Sequence, residues 1–494
     1  MNLEKFNNLR LKLLLVNFIL FLLFLPLLYV SFYNLPSGDD FSRMNVVYFH
    51  KLKSWFSRHN GRYFNALLVC FPFWYDFLVY KLHFLLFFTL SSSSIYYLVK
   101  TIAPGLKKLS LFCFVFTSQF FLFINMPNIP EAYFWFASLT TYILPYSLFV
   151  ILLAQLIYLH IHNRVMKRQY FFIALLSFAI IGSHEIGMAV TDFTLLSFLL
   201  LNLSNSNKRI PLFFLNVFAA ICTLAVFKIP GSTSRFNSIG KSRDVPSIIS
   251  DTFQFEFDYL EHHFYTNIYF LLFLFIVFIL SVVYYKEGNK EIKFKIPQML
   301  LWSLVVLFLS ILVVCYSGYQ GGAGIRRIYN GRIGNIIFLN FSLVTSVTLF
   351  YITGIFVNKG KFNYIYKHRD FLLGIFTVSL LVTGIFSKNY KNLINDITSG
   401  DVITYYENYH TRINYVGAIS SPGTEIKVPP FYNRPETLFH SDINKSPKHW
   451  KNIFFCRVFC PKNTVRLFYG ITYESMEDYI SFVKKKNEEI KGKK

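Results

Sequence analysis

From Ser37 to Arg62 the chain reads SGDDFSRMNVVYFHKLKSWFSRHNGR, directly after its first long apolar run. Two adjacent carboxylates, Asp39 and Asp40, are followed by Arg43, Lys51, Lys53, Trp55, Arg58, Asn60 and Arg62. A carboxylate takes a proton from a hydroxyl, and the planar fork of an arginine grips phosphate in a geometry that lysine does not reproduce. Tryptophan offers a flat apolar face with one polar handle, suited to a sugar ring. An acid pair, phosphate-binding cations and a stacking ring in one short segment are a kit for chemistry on a lipid-phosphate-linked sugar. The same residues fit a plainer role, with Gly38-Asp39-Asp40 as a turn and helix N-cap followed by solvated charges.

Other segments carry related groups. Glu131 and Trp135 stand one helical turn apart, so their side chains can share a face. That pair suits a sugar hydroxyl, or an interfacial tryptophan beside a solvated acid. His184 and Glu185 sit between two closely spaced apolar runs, where ionisable groups are expensive and usually face a protein cavity. Met188 stands where the His-Glu-x-x-His zinc motif needs its second histidine, which excludes that motif. A helper acid, a metal ligand and a hydrogen bond in a re-entrant turn all remain open for the pair. Arg235 follows Pro230 and Gly231 after one run, and Arg326, Arg327 and Arg332 lie among Gly321, Gly322 and Gly324 before another. Glycine permits close backbone approach, but the spacing is no nucleotide-loop signature. These arginines suit a lipid phosphate or ordinary head groups. Near the C-terminus, Trp450 beside His449 is either a glycan-stacking ring or core. Cys456 and Cys460, one helical turn apart, leave a disulfide open.

The elements that must position these groups follow from composition. The 494 residues are 54% hydrophobic and only 15% charged, which a soluble domain rarely combines. Apolar runs at 11–33, 79–98, 109–124, 134–159, 171–181, 186–201, 212–227, 268–285, 299–314, 336–357 and 371–385 predict about eleven transmembrane helices, most near the length that crosses a hydrocarbon core of about 30 Å. The first run lacks a small-residue cleavage site and reads as a retained signal anchor. The net charge of +23 is dealt out among loops, not gathered on one face, which argues against nucleic acid.

Lys/Arg bias marks Lys5, Arg10 and Lys12, Lys100, Lys107 and Lys108, Arg164, Lys167 and Arg168, and Lys208 and Arg209 as cytoplasmic. The opposite side then receives 36–77, 125–133, 183–185, 230–264, 317–335 and everything from 387 onward, which are the segments with the unusual residues. The expected organisation is a transmembrane domain over 1–387, with a catalytic outer loop at 36–77, and a small soluble α/β domain over 388–494. Within that tail, Ser446 and Pro447 predict the start of a short helix, and Pro461 its end.

A first span, an outer loop with an acid pair at the membrane surface, many further spans and a soluble tail together resemble the GT-C glycosyltransferases. The residues that carry the likeness are Asp39, Asp40, Arg43, Trp55 and Gly61-Arg62. In size, odd span number and outer tail the chain is most similar to the serotype-converting O-antigen glucosyltransferases of temperate phages. The resemblance implies an all-α polytopic, GT-C-like fold in the bacterial inner membrane, with a cytoplasmic N-terminus and a periplasmic tail. It implies transfer of a hexose, glucose in those relatives, from undecaprenyl phosphate to a lipopolysaccharide O-antigen or similar surface glycan, with inversion. Asp39, Asp40, Glu131, His184 and Glu185 are then the catalytic candidates. Arg43, Arg58, Arg62, Arg235, Arg326, Arg327 and Arg332 are candidates for the donor phosphate, and Trp55, Asn60, Trp135 and Trp450 for sugar or acceptor. Adjacent Asp-Asp departs from the Asp-x-Asp-like motif of some metal-using relatives, so no metal ligand is assigned and a divalent metal stays open. The rivals are a carrier or flippase of lipid-linked sugar, with functional charge at the midplane, and an O-antigen polymerase or ligase relying on arginines without an essential carboxylate.

Overall fold

The structure is a computed structural model that describes residues 3–44, 61–70, 76–162, 166–230, 232, 244–288, 294–316, 331–418, 426–431, 433–444, 446, 448–459 and 471–472. Each of the eleven apolar runs is helical, because a chain in hydrocarbon has only its own backbone to satisfy its N–H and C=O groups. They form α1 (Leu3–Ser31), α4 (Phe77–Ile102), α5 (Lys108–Asn125), α6 (Phe136–Ile161), α7 (Lys167–Ile181), α8 (Glu185–Leu201), α9 (Ser206–Lys228), α11 (Ile268–Gly288), α12 (Ile296–Tyr316), α13 (Gly331–Asn358) and, after the short α14 (Asn363–Lys367), α15 (Arg369–Ile385). Among the described residues, eight helices are long and apolar enough to cross a membrane. A ninth results if α15 and α16 (Lys388–Thr398), bent by 49°, count as one broken span. The chain is an all-α, multi-pass membrane protein. With 15 and 17 residues, α7 and α8 fall short of that length and form a hairpin around the turn at 182–184.

The most enclosed spans are α6 and α13, each 78% buried, against 28% for α1 and α9. The bundle therefore has α6 and α13 at its centre and turns α1 and α9 to lipid. Side-chain hydrogen bonds stitch the interior: Gln119 Nε2 to Ser91 Oγ (3.0 Å), Gln155 Nε2 to the Tyr97 hydroxyl (2.5 Å) and Asn340 Nδ2 to Ser310 Oγ (3.1 Å). Such bonds average about 0.6 kcal/mol in a membrane protein, so they fix helix register more than they add stability.

Short helices sit at one end of the bundle: α2 (Asp39–Met44) after α1 and α3 (Tyr63–Val69) against the α7–α8 turn, where Phe64 N donates to Gly182 O at 2.9 Å. Segment 230–264, expected as a long outer loop, contains α10 (Val245–Glu261), N-capped by Asp244 with Pro246 in its first turn. Its apolar residues recur as Val245, Ile249, Phe253 and Phe257, all exposed. That four-residue spacing is helical and was present in the sequence.

Beyond α16 the tail folds back onto this same end, close to α2. In α17 (Asp401–Ala418), the Tyr409 hydroxyl donates to Pro36 O at 2.8 Å, and buried Arg412 reaches the Asp442 carboxylate at 2.5 and 3.3 Å and Pro429 O at 2.6 Å. The expected tail helix is α18 (Trp450–Phe459), which begins a few residues after Ser446, whose carbonyl oxygen accepts from His449 N, while Pro447 and Pro461 lie outside the described residues. Its Phe455 meets Phe41 of α2 edge-on at 5.2 Å. Strand among the described residues is limited to β1 (Ile426–Lys427), paired in parallel with β2 (Ile471–Thr472). Cys456 is buried in α18, and Cys460 lies outside the described residues.

Gly61 is tightly packed near the functional end: a Cβ there would lie 2.1 Å from the Val226 carbonyl oxygen of α9, and its N–H already donates to Ser232 Oγ at 2.6 Å. A backbone carbonyl cannot swing aside as a side chain can. Gly61→Ala is expected to destabilise the fold by roughly 1–3 kcal/mol, the usual range for overpacking. Thermal unfolding in detergent checks this, and an unchanged midpoint would mean that Gly61 and α9 are not in contact.

Candidate functional site

At the end of α1 the chain must turn sharply, and Gly38 takes a left-handed conformation (φ +54°) that favours glycine. Ser37 and Asp40 then form a reciprocal cap for α2: Asp40 N donates to Ser37 O at 3.0 Å, and Ser37 N donates to Asp40 Oδ2 at 3.1 Å. The second oxygen of Asp40 accepts from Ala137 N at 2.9 Å, one of the donors left without an intrahelical partner at the start of α6. Asp40 thus caps two helices at once. Beneath it, buried Arg43 donates to the hydroxyls of Thr140 (2.7 Å) and Thr141 (3.1 Å), and Asn65 Nδ2 also donates to Thr141 (2.8 Å). Burial pushes the Asp40 carboxyl up to about 7, against the pull of its two N–H donors and Arg43.

Its neighbour faces the other way. The Asp39 side chain is 37% exposed and lies 3.6 Å from Arg332 Nη1, at the start of α13. Three contacts hold Arg332: its backbone N–H donates to Glu131 Oε2 at 2.5 Å, and its guanidinium lies 5.1 Å from the Trp135 ring centre and 5.7 Å from that of Tyr142. Asn128 and Asn335 exchange backbone and side-chain hydrogen bonds (2.9 and 2.8 Å), which lock this end of α13 to the Glu131 turn. Burial raises the Glu131 carboxyl above the ordinary carboxylate range.

Arg62 forms a two-point pair with Glu185, Nε to Oε1 at 3.2 Å and Nη2 to Oε2 at 2.6 Å, and Tyr142 is a further hydrogen-bond partner. His184 is the N-cap of α8, its Nδ1 accepting from Gly187 N at 3.0 Å, and its ring lies 5.1 Å from that of Tyr142. The His184-Glu185 pair therefore caps a helix and fixes an arginine. From the tail comes His440, stacked on Trp135 with ring centres 3.7 Å apart and planes at 15°. Its Nδ1 is 3.5 Å from Glu131 Oε1, and burial together with Lys451 and Arg332 lowers it to about 3, so the imidazole is neutral at pH 7.

The chain matches no family model, no curated protein and no solved structure. Function therefore rests on this geometry.

The structure brings Asp39, Asp40, Arg43, Arg62, Glu131, Trp135, His184, Glu185 and Arg332 to one end of the bundle. Trp450 lies in the adjoining tail, 40% exposed and with Lys451 Nζ 5.8 Å from its ring centre. Trp55, Arg58, Asn60, Arg235, Arg326 and Arg327 lie outside the described residues. Among the described residues no three His, Cys, Asp or Glu side chains converge as a metal-ligand set. Sequence reasoning passed over Tyr142, Thr140, Thr141, Asn65 and His440. Of these, the threonines and Tyr142 had a signal, polar groups one and two turns beyond Trp135 in an apolar run, whereas nothing local distinguished His440.

Because the folded-state value of Asp40 lies above the ordinary 3.8, its protonated form stabilises the fold; that contribution is complete below 3.8 and lost as pH rises through about 7. Wild-type stability is expected to fall from pH 4 to 8 relative to Asp40→Asn, by up to about 4 kcal/mol. Parallel melting curves across that range test it, and identical pH profiles would show that Asp40 is ionised throughout.

Proposed function

We propose that this protein is a GT-C-type glycosyltransferase, moving a hexose from a polyprenyl-phosphate carrier, undecaprenyl phosphate, to a surface glycan on the periplasmic side of a bacterial inner membrane. The observation that carries the reading is the Asp39–Arg332 pair: a carboxylate and a guanidinium, each 37% exposed, side by side at one end of the bundle and walled by Trp135 and Tyr142. Glu185 and Glu131 are less exposed (28% and 16%) and engaged with arginine groups, and Asp40 is fully buried as a double cap. Asp39 is therefore the base.

The acceptor hydroxyl gives its proton to Asp39 as its oxygen attacks the anomeric carbon, and the bond from that carbon to the phosphate oxygen breaks. The sugar inverts, and polyprenyl phosphate departs with its charge held by Arg332. A fixed guanidinium aimed where charge develops acts without reorganisation, and removing one such donor typically costs about 10²–10³ in rate. Below Tyr133 lies an apolar cavity lined by Phe84, Phe87, Phe88 and Leu339, and a second, lined by Ile95, Phe121, Phe273 and Phe350, adjoins it through Leu122 and Tyr146. Apolar space beneath a phosphate-binding group suits a prenyl chain.

One observation favours the rival carrier. Asp192 in α8 is a carboxylate between helices, accepting from Thr223 Oγ1 of α9 at 2.6 Å, and an ionisable residue there is a functional-site hypothesis by default, ion and substrate pathways among the uses.

The protein in vesicles, given labelled polyprenyl-phosphate hexose and acceptor glycan, separates the readings. Asp39→Asn is expected to lose transfer by roughly 10²-fold or more while still binding donor, in line with the loss of a general base, and Asp40→Asn to retain more activity. Full activity in Asp39→Asn would remove it as the base. Donor movement across the bilayer without transfer, abolished by Asp192→Asn, would establish the carrier.

A further inference from the structure

Beyond the carboxylate and the arginine, the tail reaches into this cluster through the turn at 435–442. Leu438 N and Phe439 N both donate to Pro435 O (3.1 and 2.8 Å), and Asp442, two residues past His440, is anchored by Arg412. The turn so fixed sets His440 against three elements. Its ring covers Trp135, whose Nε1 donates to Ser37 O at 3.1 Å. Its Nδ1 approaches Glu131, which accepts the Arg332 N–H. A Cβ on Gly38 would lie 3.0 Å from Ser441 Oγ and 3.4 Å from His440 Cδ2, so the turn carrying Asp39 packs directly against the turn carrying this histidine.

We infer that His440 is a positioning residue for the phosphate-holding Arg332, acting from the tail through Trp135 and Glu131; this rests on the proposed use of Arg332 to hold the donor phosphate. The Glu131 carboxylate is held from one side by Arg332 N and the Trp135 ring by Ser37 O, and His440 of the tail touches both. The tail is then part of the donor site, and not only a surface for the acceptor.

The test measures binding of undecaprenyl phosphate in vesicles, and the donor KM and kcat of transfer, for wild type, His440→Ala, Glu131→Gln and the double variant, with Arg412→Ala as the control that releases the tail. His440→Ala and Glu131→Gln are each expected to weaken binding about tenfold and raise donor KM alike with kcat little changed, a tenfold change being about 1.4 kcal/mol. The double variant is expected to be no worse than the weaker single, since both act on Arg332. His440→Phe, which keeps a flat ring on Trp135, is expected to restore part of the loss. Wild-type binding in His440→Ala overturns the inference, as do strictly additive losses or a fall in kcat alone. A proteolysis pattern in His440→Ala matching that of Arg412→Ala also overturns it, because the effect is then undocking. If wild type binds undecaprenyl phosphate but transfers no sugar, the transferase reading fails while this inference is still decided by binding.

Discussion

The functional end of this protein depends on one buried carboxylate. Asp40 joins the turn after α1 to the start of α6 by accepting Ser37 N and Ala137 N with its two oxygens. A helix that begins inside protein has N–H groups that water cannot reach, and each left unpaired costs about 1–3 kcal/mol. Supplying the acceptor from another segment satisfies the donor and fixes the distance between α2 and α6. Every other feature of the cluster hangs on that distance: Trp135 immediately precedes α6, and Asp39 is the residue before Asp40. The elevated Asp40 carboxyl is the cost of this role, since its charged form is shielded from water and the pull of Arg43 and the two N–H donors only partly offsets that.

Three arginines at the same end show how environment divides identical side chains. Arg43 is buried and spends its donors on Thr140 and Thr141, so it binds α2 to α6. Arg62 is held in a two-point pair by Glu185 and joins α3 to α8. Arg332 faces Asp39 at 3.6 Å and two aromatic faces, contacts that restrain the guanidinium while leaving its side chain 37% exposed. Aromatic faces attract a cation without occupying its hydrogen-bonding edge. An arginine meant to receive an anion is best held in this way, because no bound carboxylate has to be displaced at full strength.

How much of this was legible in the sequence follows from how local each cause is. Long apolar runs must be helical in lipid, so all eleven could be read residue by residue, and the Asp39-Asp40 segment stood out as acids beside a span. The difference between the two aspartates could not be read. One step along a helix turns a side chain by about 100°, and which of the pair then meets α6 is decided by contacts some 97 positions away. The plain reading as a helix cap holds for Asp40, while Asp39 is left partly exposed beside Arg332. His440 was invisible for the same reason: its neighbours Glu131 and Trp135 lie some 300 residues earlier, and its own surroundings are an ordinary polar turn. In α10, by contrast, the helical spacing of Val245, Ile249, Phe253 and Phe257 was local and was passed over because charged residues interrupt it.

Acids and bases are placed here so that most charges are paired on the protein side of the boundary and one pair is left between protein and water. Burying an ion pair rarely adds stability over apolar packing, and its members persist where they fix geometry. Arg62–Glu185 and Arg412–Asp442 meet that description, the first fastening α3 to the α7–α8 hairpin and the second fixing the tail turn. Asp39–Arg332 does not: its 3.6 Å separation and shared exposure make it the weakest of the three. A weak, exposed pair enclosed by strong, buried ones is poor use of charge for stability. It is the arrangement expected of a site whose charges must part when a ligand arrives, with the surrounding pairs keeping the walls in place as they do.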